Sequence, residues 1–304
     1  MQTAYHPVLF LFVDGVGLAP ASSDNPFSTV PTPAIETLLG GPLILETIQQ
    51  RGDRLLLGLD ATLGLPGLPQ SASGQASLFT GRNGAELMGR HQTGFPGPRL
   101  RALVEEHGLL GRAGEIGREV TFANPYTRRY LEDLEAGKRR ASVTTCAVLA
   151  AGLELRFLED LEQGRAVSWD FCRDRFPAGT GEKLEPITAS RAGRDLATIA
   201  ADYDLTLHET FLTDLAGHLK RGIAPEETVR RLDDVIGGLE AARPANLTWI
   251  LSSDHGNLED ISTGSHTLNP VPLLAVGPGT AALGGLRSIL DVTPAVLGLL
   301  ERPK

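Results

Sequence analysis

The sequence predicts an α/β protein, with a mostly parallel sheet covered by helices on both faces and an insertion partway along the chain. The segment Val8–Val13 (VLFLFV) is a continuous apolar run ending in Asp-Gly, as expected of a strand buried on both faces. Two parts of the chain alternate such runs with helical patterns, which implies parallel strands joined through helices. A less regular stretch, from about residue 83 to 201, separates them.

Each element has a local reason. Residues 64–69 (GLPGLP) can only be loop, and residues 72–80 have the length and small side chains of a helix opening, with Ser71 at the junction. Residues 205–211 read as a strand, Pro225–Ala242 as an amphipathic helix opened by proline, and residues 247–251 (LTWIL) as another buried strand. Residues 272–276 supply one more strand, and residues 291–300 (DVTPAVLGLL) a helix with an Asp cap and an early proline. The middle stretch holds a loop-like segment at 89–99, a possible strand at 119–123, and helical patterns at 130–136 and 142–151. The sequence has no internal repeat and no low-complexity tract.

At 304 residues the chain is about two domain sizes of roughly 100–200 residues each, or one large domain with an insertion. Hydrophobic residues at 41% and charged residues at 21% exclude a disordered, collagenous or coiled-coil chain. The net charge of −9 argues against nucleic acid or an anionic membrane surface as partner, so a phosphate-bearing ligand needs local cations. Cys146 and Cys172 form neither a CxxC pair nor a disulfide framework, which fits a reducing compartment. The apolar run at 7–13 is short, is cut by Asp14 and lacks a basic flank, so it reads as neither signal peptide nor membrane span. The expected location is cytoplasmic; the oligomeric state is not indicated.

The chemistry-bearing residues fall at strand ends. Asp14 follows the first strand, Asp214 and His218 (TDLAGH) follow the strand at 205–211, Asp254 and His255 (SSDHGN) follow that at 247–251, and His266 precedes the last. Ligands bind outside the carboxyl ends of strands in open α/β sheets, so groups far apart in sequence could converge there. Three carboxylates and three imidazoles suffice for two divalent ions with open positions. Singly, each motif has a plainer reading: Asp before Gly is a common turn residue, and Asp-x-x-x-His is an ordinary helix surface pair. Three of only seven histidines in these motifs is harder to explain that way.

Asp14-Gly15, then Gly67-Leu68-Pro69-x-Ser71 with Thr80-Gly81-Arg82, then Asp214-x-x-x-His218, Asp254-His255-Gly256-Asn257 and His266-Thr267-x-Asn269-Pro270-Val271-Pro272 together resemble the alkaline phosphatase superfamily. The branch they resemble most contains cofactor-independent phosphoglycerate mutase and phosphopentomutase. The resemblance covers residues 7–82 and 204–300. It implies an alkaline-phosphatase-like three-layer sandwich, with residues 1–82 and 202–304 forming the metal-binding core and residues 83–201 a small inserted cap that contributes to substrate binding.

It further implies that Asp14, Asp254 and His255 hold one ion and Asp214, His218 and His266 the other, with Mn²⁺ or Zn²⁺ as the metal. The superfamily's nucleophile opens a helix ten residues before a Gly; counting back from Gly81 selects Ser71, with Gly74 also matching the mutases. Ser71 is then both the nucleophile and a metal contact. A plain N-cap is the structural alternative for Ser71, and ordinary small helix residues for Ser73 and Ser77. The mutases have Asn before the serine and His four residues after it, where this chain has Gln70 and Gln75. Within the middle stretch Arg90, His91 and Arg99 are the candidate substrate contacts, with Arg101, Arg128, Arg129, Arg139 and Arg140 as further cations. Glu209 matches the glutamate of an auxiliary metal site in alkaline phosphatase.

A serine hydroxyl at a helix N-terminus beside two ions roughly 4 Å apart suits in-line phosphoryl transfer through a phosphoserine. The expected activity is hydrolysis of a small phosphorylated metabolite. A phosphomutase is the alternative, followed by a phosphodiesterase or nucleotide pyrophosphatase, which Ser71 disfavours because those enzymes use threonine. A non-catalytic metal-binding module is the remaining reading. Ser71-Ala72-Ser73-Gly74-Gln75 has neither the Pro nor the Arg of a sulfatase motif.

Overall fold

The computed structural model describes residues 7–176, 184–219 and 222–301; residues 177–183 of the 83–201 stretch, and the chain ends at 1–6 and 302–304, lie outside the described residues. Strand β1 (Val8–Val13) is followed by α1 (Pro26–Thr29) and α2 (Pro33–Leu39), both opened by proline, then by a ribbon of β2 (Gln49–Arg51) and β3 (Arg54–Leu59). After the loop come α3 (Ser71–Thr80) and α4 (Gly84–Met88). The middle contains α5 (Pro98–His107), α6 (Leu109–Glu115), β4 (Val120–Phe122), α7 (Arg128–Glu135), α8 (Val143–Ala150), α9 (Leu158–Glu162) and α10 (Ala189–Ala201). The last part holds β5 (Leu205–Thr210), α11 (Leu212–Gly217), α12 (Pro225–Ala242), β6 (Thr248–Ser252), β7 (Val271–Val276) and α13 (Val292–Leu300).

The seven strands form one sheet in the order β2-β3-β7-β6-β1-β5-β4. Strands β6, β1, β5 and β4 are parallel neighbours; β7 runs against β6, and β3 runs against β7 and so shares the direction of β1. The sheet is therefore mostly parallel. The reversal at β7 matters for function, because it brings the amino end of β7 to the same edge as the carboxyl ends of β1, β5 and β6. A residue that precedes β7 can thus meet residues that follow the other three.

Period-two alternation divides β1 between two cores. Val8, Phe10 and Phe12 join a core that includes residues of α3, α5, α6, α8 and α13, whereas Leu9, Leu11 and Val13 join one that includes residues of α2, α10 and α12. The rings of Phe10 and Phe12 pack against Phe79 with centroids 5.7 and 5.1 Å apart, tying the strand that ends at Asp14 to the helix that begins at Ser71. On the other face, a Cβ at Gly193 or Gly238 would come within 2.0 Å of the opposing backbone, so glycine at both positions lets α10 and α12 touch directly. Elements between residues 83 and 201 enter both helical layers, and β4 extends the sheet edge beside β5.

Several elements differ from the sequence expectation. The helix expected at 72–80 begins one residue earlier, at Ser71, with Gln70 as its cap. Strand β3 and helix α10 are additional; α10 is amphipathic, but its apolar side is mostly alanine, a weak hydrophobic signal. The segment at 119–123 shortens to the three residues of β4 at the sheet edge.

Candidate active site

Asp14 leaves the end of β1, Asp214 sits in the first turn of α11, Asp254 and His255 lie in the turn after β6, and His266 lies in the loop before β7. All face the same sheet edge as Ser71. The Nε2 of His255 is 3.2 Å from Oδ1 of Asp14 and 3.6 Å from Oδ2 of Asp254. The Oδ1 of Asp214 is 3.3 Å from Nε2 of His218 and 3.6 Å from Nε2 of His266, and those two nitrogens are 3.2 Å apart. The rings of His255 and His266 stack at 3.7 Å, joining the two groups.

The polar atoms of this cluster fit a cation better than they fit one another. Oδ1 of Asp14 and Oδ2 of Asp254 are buried without a hydrogen-bond donor. Nδ1 of His266 lies 2.7 Å from the Pro69 carbonyl and Nδ1 of His218 lies 3.0 Å from that of Gly264. Both imidazoles then donate through Nδ1, so two Nε2 lone pairs face each other across 3.2 Å, a contact that a cation relieves. Two sets of three donor atoms lie within 4.8 Å of one another: Asp14, Asp254 and His255 in one, Asp214, His255 and His266 in the other.

The protonation pattern points the same way. Burial opposes charge on His255, but the carboxylates of Asp254, Asp14 and Asp214 outweigh it and raise its pKa to about 10. Burial, with Asp14 beside it, pushes the Asp254 carboxyl well above its ordinary range. His266 is driven down to about 4, first by burial and then by the charge on His255. The cluster is short of positive charge, as a ligand set for a divalent ion would be.

Ser71 is the first residue of α3, and its Oγ lies 3.0 Å from Nε2 of His255. The N-cap is Gln70, so the Ser71 hydroxyl is directed at the histidine and is not spent on its own helix. The amino end of α3 offers backbone N–H groups and the positive end of the helix dipole to an anion at this place. Ser73 and Ser77 have structural partners: Ser73 Oγ donates to the Gln70 carbonyl and accepts from the Gln92 N–H, and Ser77 Oγ donates to the Ser73 carbonyl at 2.7 Å. Gln75 donates from Nε2 to Oδ2 of Asp14 at 3.2 Å.

Two supporting residues had no role assigned from the sequence: Asn257, inside the Asp254-His255-Gly256-Asn257 motif, and Glu259, just after it. Glu259, two positions after Asn257, accepts from the N–H groups of Gly17 and Asn257, from the Thr267 hydroxyl and from the Asn269 amide, joining the loops that carry His255 and His266. Asn257 donates to Oδ1 of Asp214 at 2.8 Å. Both are fully buried polar side chains, satisfied only because these loops meet.

A cavity of about 480 Å³ opens beside Ser71, Asp14 and Gln75. Its walls include Phe95, Tyr126, Tyr130, Trp169 and Phe211, with Glu209 and Arg139 as charged members. Glu209 accepts from the Thr144 hydroxyl at 2.6 Å; burial, reinforced by Asp14, raises its pKa to about 7. Arg90, His91 and Arg99 do not line this cavity: Arg90 and Arg99 are exposed, and Nε2 of His91 is 3.4 Å from the Leu65 carbonyl. Arg101, Arg128, Arg129 and Arg140 are likewise absent from its lining.

Residues 178–300 match the family model described as the Metalloenzyme superfamily. The 2,3-bisphosphoglycerate-independent phosphoglycerate mutase of Desulforudis audaxviator is 35% identical over 132 residues, 40% of this chain and 26% of that protein. The chain resembles the metalloenzymes of the alkaline phosphatase superfamily, and within it the phosphoglycerate mutase branch. The mutase of Ruegeria pomeroyi is 41% identical over 118 residues, 35% of this chain and 23% of its own length. These matches span about a quarter of the length of the curated relatives. Among solved structures, the PH0037 protein of Pyrococcus horikoshii aligns over 99% of this chain and 98% of its own with a TM-score of 0.59 at 14% identity, a likeness of fold. Leishmania mexicana phosphoglycerate mutase aligns over 99% and 96% with a TM-score of 0.50 at 13% identity. Among the described residues no helix is long and apolar enough to cross a membrane.

Proposed function

We propose that the chain is a two-metal phosphoryl-transfer enzyme acting on a small phosphorylated metabolite, with Ser71 as nucleophile and hydrolysis as the main outcome. The observation that carries this is the Ser71 hydroxyl at the amino end of α3, 3.0 Å from the histidine that joins two clusters of ligand-type side chains. Asp14, Asp254 and His255 would hold one divalent ion, Mn²⁺ or Zn²⁺, and Asp214, His218 and His266 the other, supplying Lewis-acid charge to the phosphoryl oxygens and to the serine hydroxyl. Glu209 and Thr144, beside Asp14, are a candidate auxiliary metal position.

The protein's own groups divide the work. The amino end of α3 receives phosphoryl oxygens, and Gln75 fixes the orientation of the Asp14 carboxylate. Ser71 Oγ attacks phosphorus, the ester oxygen departs with a proton as the alcohol, and a phosphoserine remains. Water then attacks that phosphorus, releasing phosphate and restoring Ser71. A mutase must instead hold the dephosphorylated intermediate and keep water out while it turns over. Among the described residues Arg139 is the single cation lining the cavity, which supports hydrolysis; sequence likeness to the mutases keeps isomerisation as the second reading.

The test is a panel of phosphorylated metabolites assayed with Mn²⁺ and with Zn²⁺, following both free phosphate and isomerised product. Acid quenching with labelled substrate should leave label on Ser71. Efficient isomerisation of 3-phosphoglycerate or a ribose phosphate without phosphate release would establish the mutase reading, and a chain inactive on every phosphate ester with both metals would end the proposal.

A further inference from the structure

The residues that wall the cavity carry information about the alcohol part of the substrate. Tyr126 and Tyr130 stack with centroids 6.0 Å apart and planes at 16°, and Trp169 and Phe211 stack at 4.1 Å and 15°. Both pairs line the space of about 480 Å³ beside Ser71. A cavity lined with aromatic side chains favours a flat, uncharged group, which gains both burial and ring contact.

Charge selects in the same direction. A substrate with a second anionic group needs cations to receive it, as carboxylates and phosphates are otherwise desolvated at a cost. Among the described residues Arg139 is the one cation lining the cavity; its side chain is 62% exposed and lies 3.5 Å from the Asp133 carboxylate. A ring with a hydrogen-bond acceptor has a partner available. Tyr126 is 7% exposed, and its hydroxyl lies beside Thr145 without a hydrogen bond of normal geometry.

We propose that this cavity receives the alcohol part of a phosphate monoester bearing an uncharged planar ring, and that it discriminates against alcohols carrying a carboxylate or a second phosphate. The proposal rests on the phosphoryl-transfer reading of Ser71. It also gives the 83–201 stretch a specific task, because five of the six aromatic walls come from it: Phe95, Phe122, Tyr126, Tyr130 and Trp169.

The test separates this proposal from the activity on which it rests. Binding of three non-hydrolysable phosphonates with the same two-carbon spacing, 2-phenylethylphosphonate, propylphosphonate and 2-carboxyethylphosphonate, is measured by calorimetry on the Mn²⁺-loaded protein. The phenylethyl compound should bind about tenfold more tightly than propylphosphonate, and the carboxyethyl compound no more tightly than propylphosphonate. Trp169→Ala should collapse the phenylethyl-to-propyl ratio toward one; Phe211→Leu, which keeps more volume, should narrow it if the alanine variant does not fold. Equal binding of the three, or tightest binding of the carboxyethyl compound, would overturn the proposal. Turnover of 2-phenylethyl phosphate and propyl phosphate is followed in parallel. Failure to release phosphate from either counts against the phosphoryl-transfer reading, whereas the phosphonate ranking alone decides the ring subsite.

Discussion

Ser71 Oγ lies 3.0 Å from Nε2 of His255, although the two residues stand 184 positions apart in the chain. The contact exists because α3 is packed onto β1 through Phe79 while the turn after β6 emerges beside β1. Ser71→Ala should lower turnover at least about 10³-fold, as removal of a nucleophile does. Metal content should stay near that of the parent, since six protein ligands remain. Phosphate release and elemental analysis on the same samples check both parts. Retained activity in Ser71→Ala alongside a dead Ser73→Ala or Ser77→Ala would mean that another serine is the nucleophile.

His255 belongs to both donor groups, whereas His218 sits beside only Asp214 and His266. His255→Ala should therefore empty the position that it ligates and, because its ring stacks on His266, lower occupancy at the second as well, whereas His218→Ala should act mainly at one. Metal-to-protein ratios after gel filtration in limiting Mn²⁺ provide the comparison; equal effects of the two substitutions would contradict it. Chelation of the parent protein should abolish turnover, and readdition of Mn²⁺ or Zn²⁺ should restore it.

Glu259 accepts from four donors in a fully buried position, and a Cβ on Gly256 would fall 2.3 Å from its Oε1 and 2.2 Å from the Thr267 hydroxyl. Glu259→Gln replaces one acceptor oxygen with a donor and leaves buried groups unpaired, at roughly 1–3 kcal/mol each. Gly256→Ala should act similarly by steric displacement. Both should lower the melting temperature and weaken metal binding, because this residue braces the loops of His255 and His266. A melting temperature unchanged in both variants would remove Glu259 from that role.

His208 on β5 is fully buried against the Phe171 ring, and burial depresses its pKa to about 4, only partly offset by the carbonyls at Ser168 and Val167. The unfolded chain takes a proton near the ordinary value of about 6.5, so the unfolded state binds more protons between the two values. Its stabilising contribution is present above about pH 6.5 and is lost as pH falls toward 4. Denaturant melts at pH 7.5 and pH 5 should show stability falling on acidification, by an amount on the order of 2 kcal/mol from this residue. His208→Phe should reduce that fall; an unchanged acid dependence would assign it to other groups.

The sequence by itself determined the alternation of strands and helices, because β1, β5, β6 and β7 are continuous apolar runs and α12 carries a helical period. It also determined which side chains stand at strand ends, including Asp14, Asp214, Asp254, His255 and His266. The structure decided how those ends meet. Nothing local in residues 271–276 shows that β7 runs against β6, yet only that reversal brings His266 to the edge where Asp14 and Asp254 emerge. The aromatic walls were equally illegible: Phe95, Tyr126, Tyr130, Trp169 and Phe211 fall on no common helix face or strand, and only packing unites them. Arg139 rather than Arg90 or Arg99 lines the cavity for the same reason. Periodicity records which face of one element is buried, whereas a site formed where several loops converge depends on long-range contacts that no local pattern encodes.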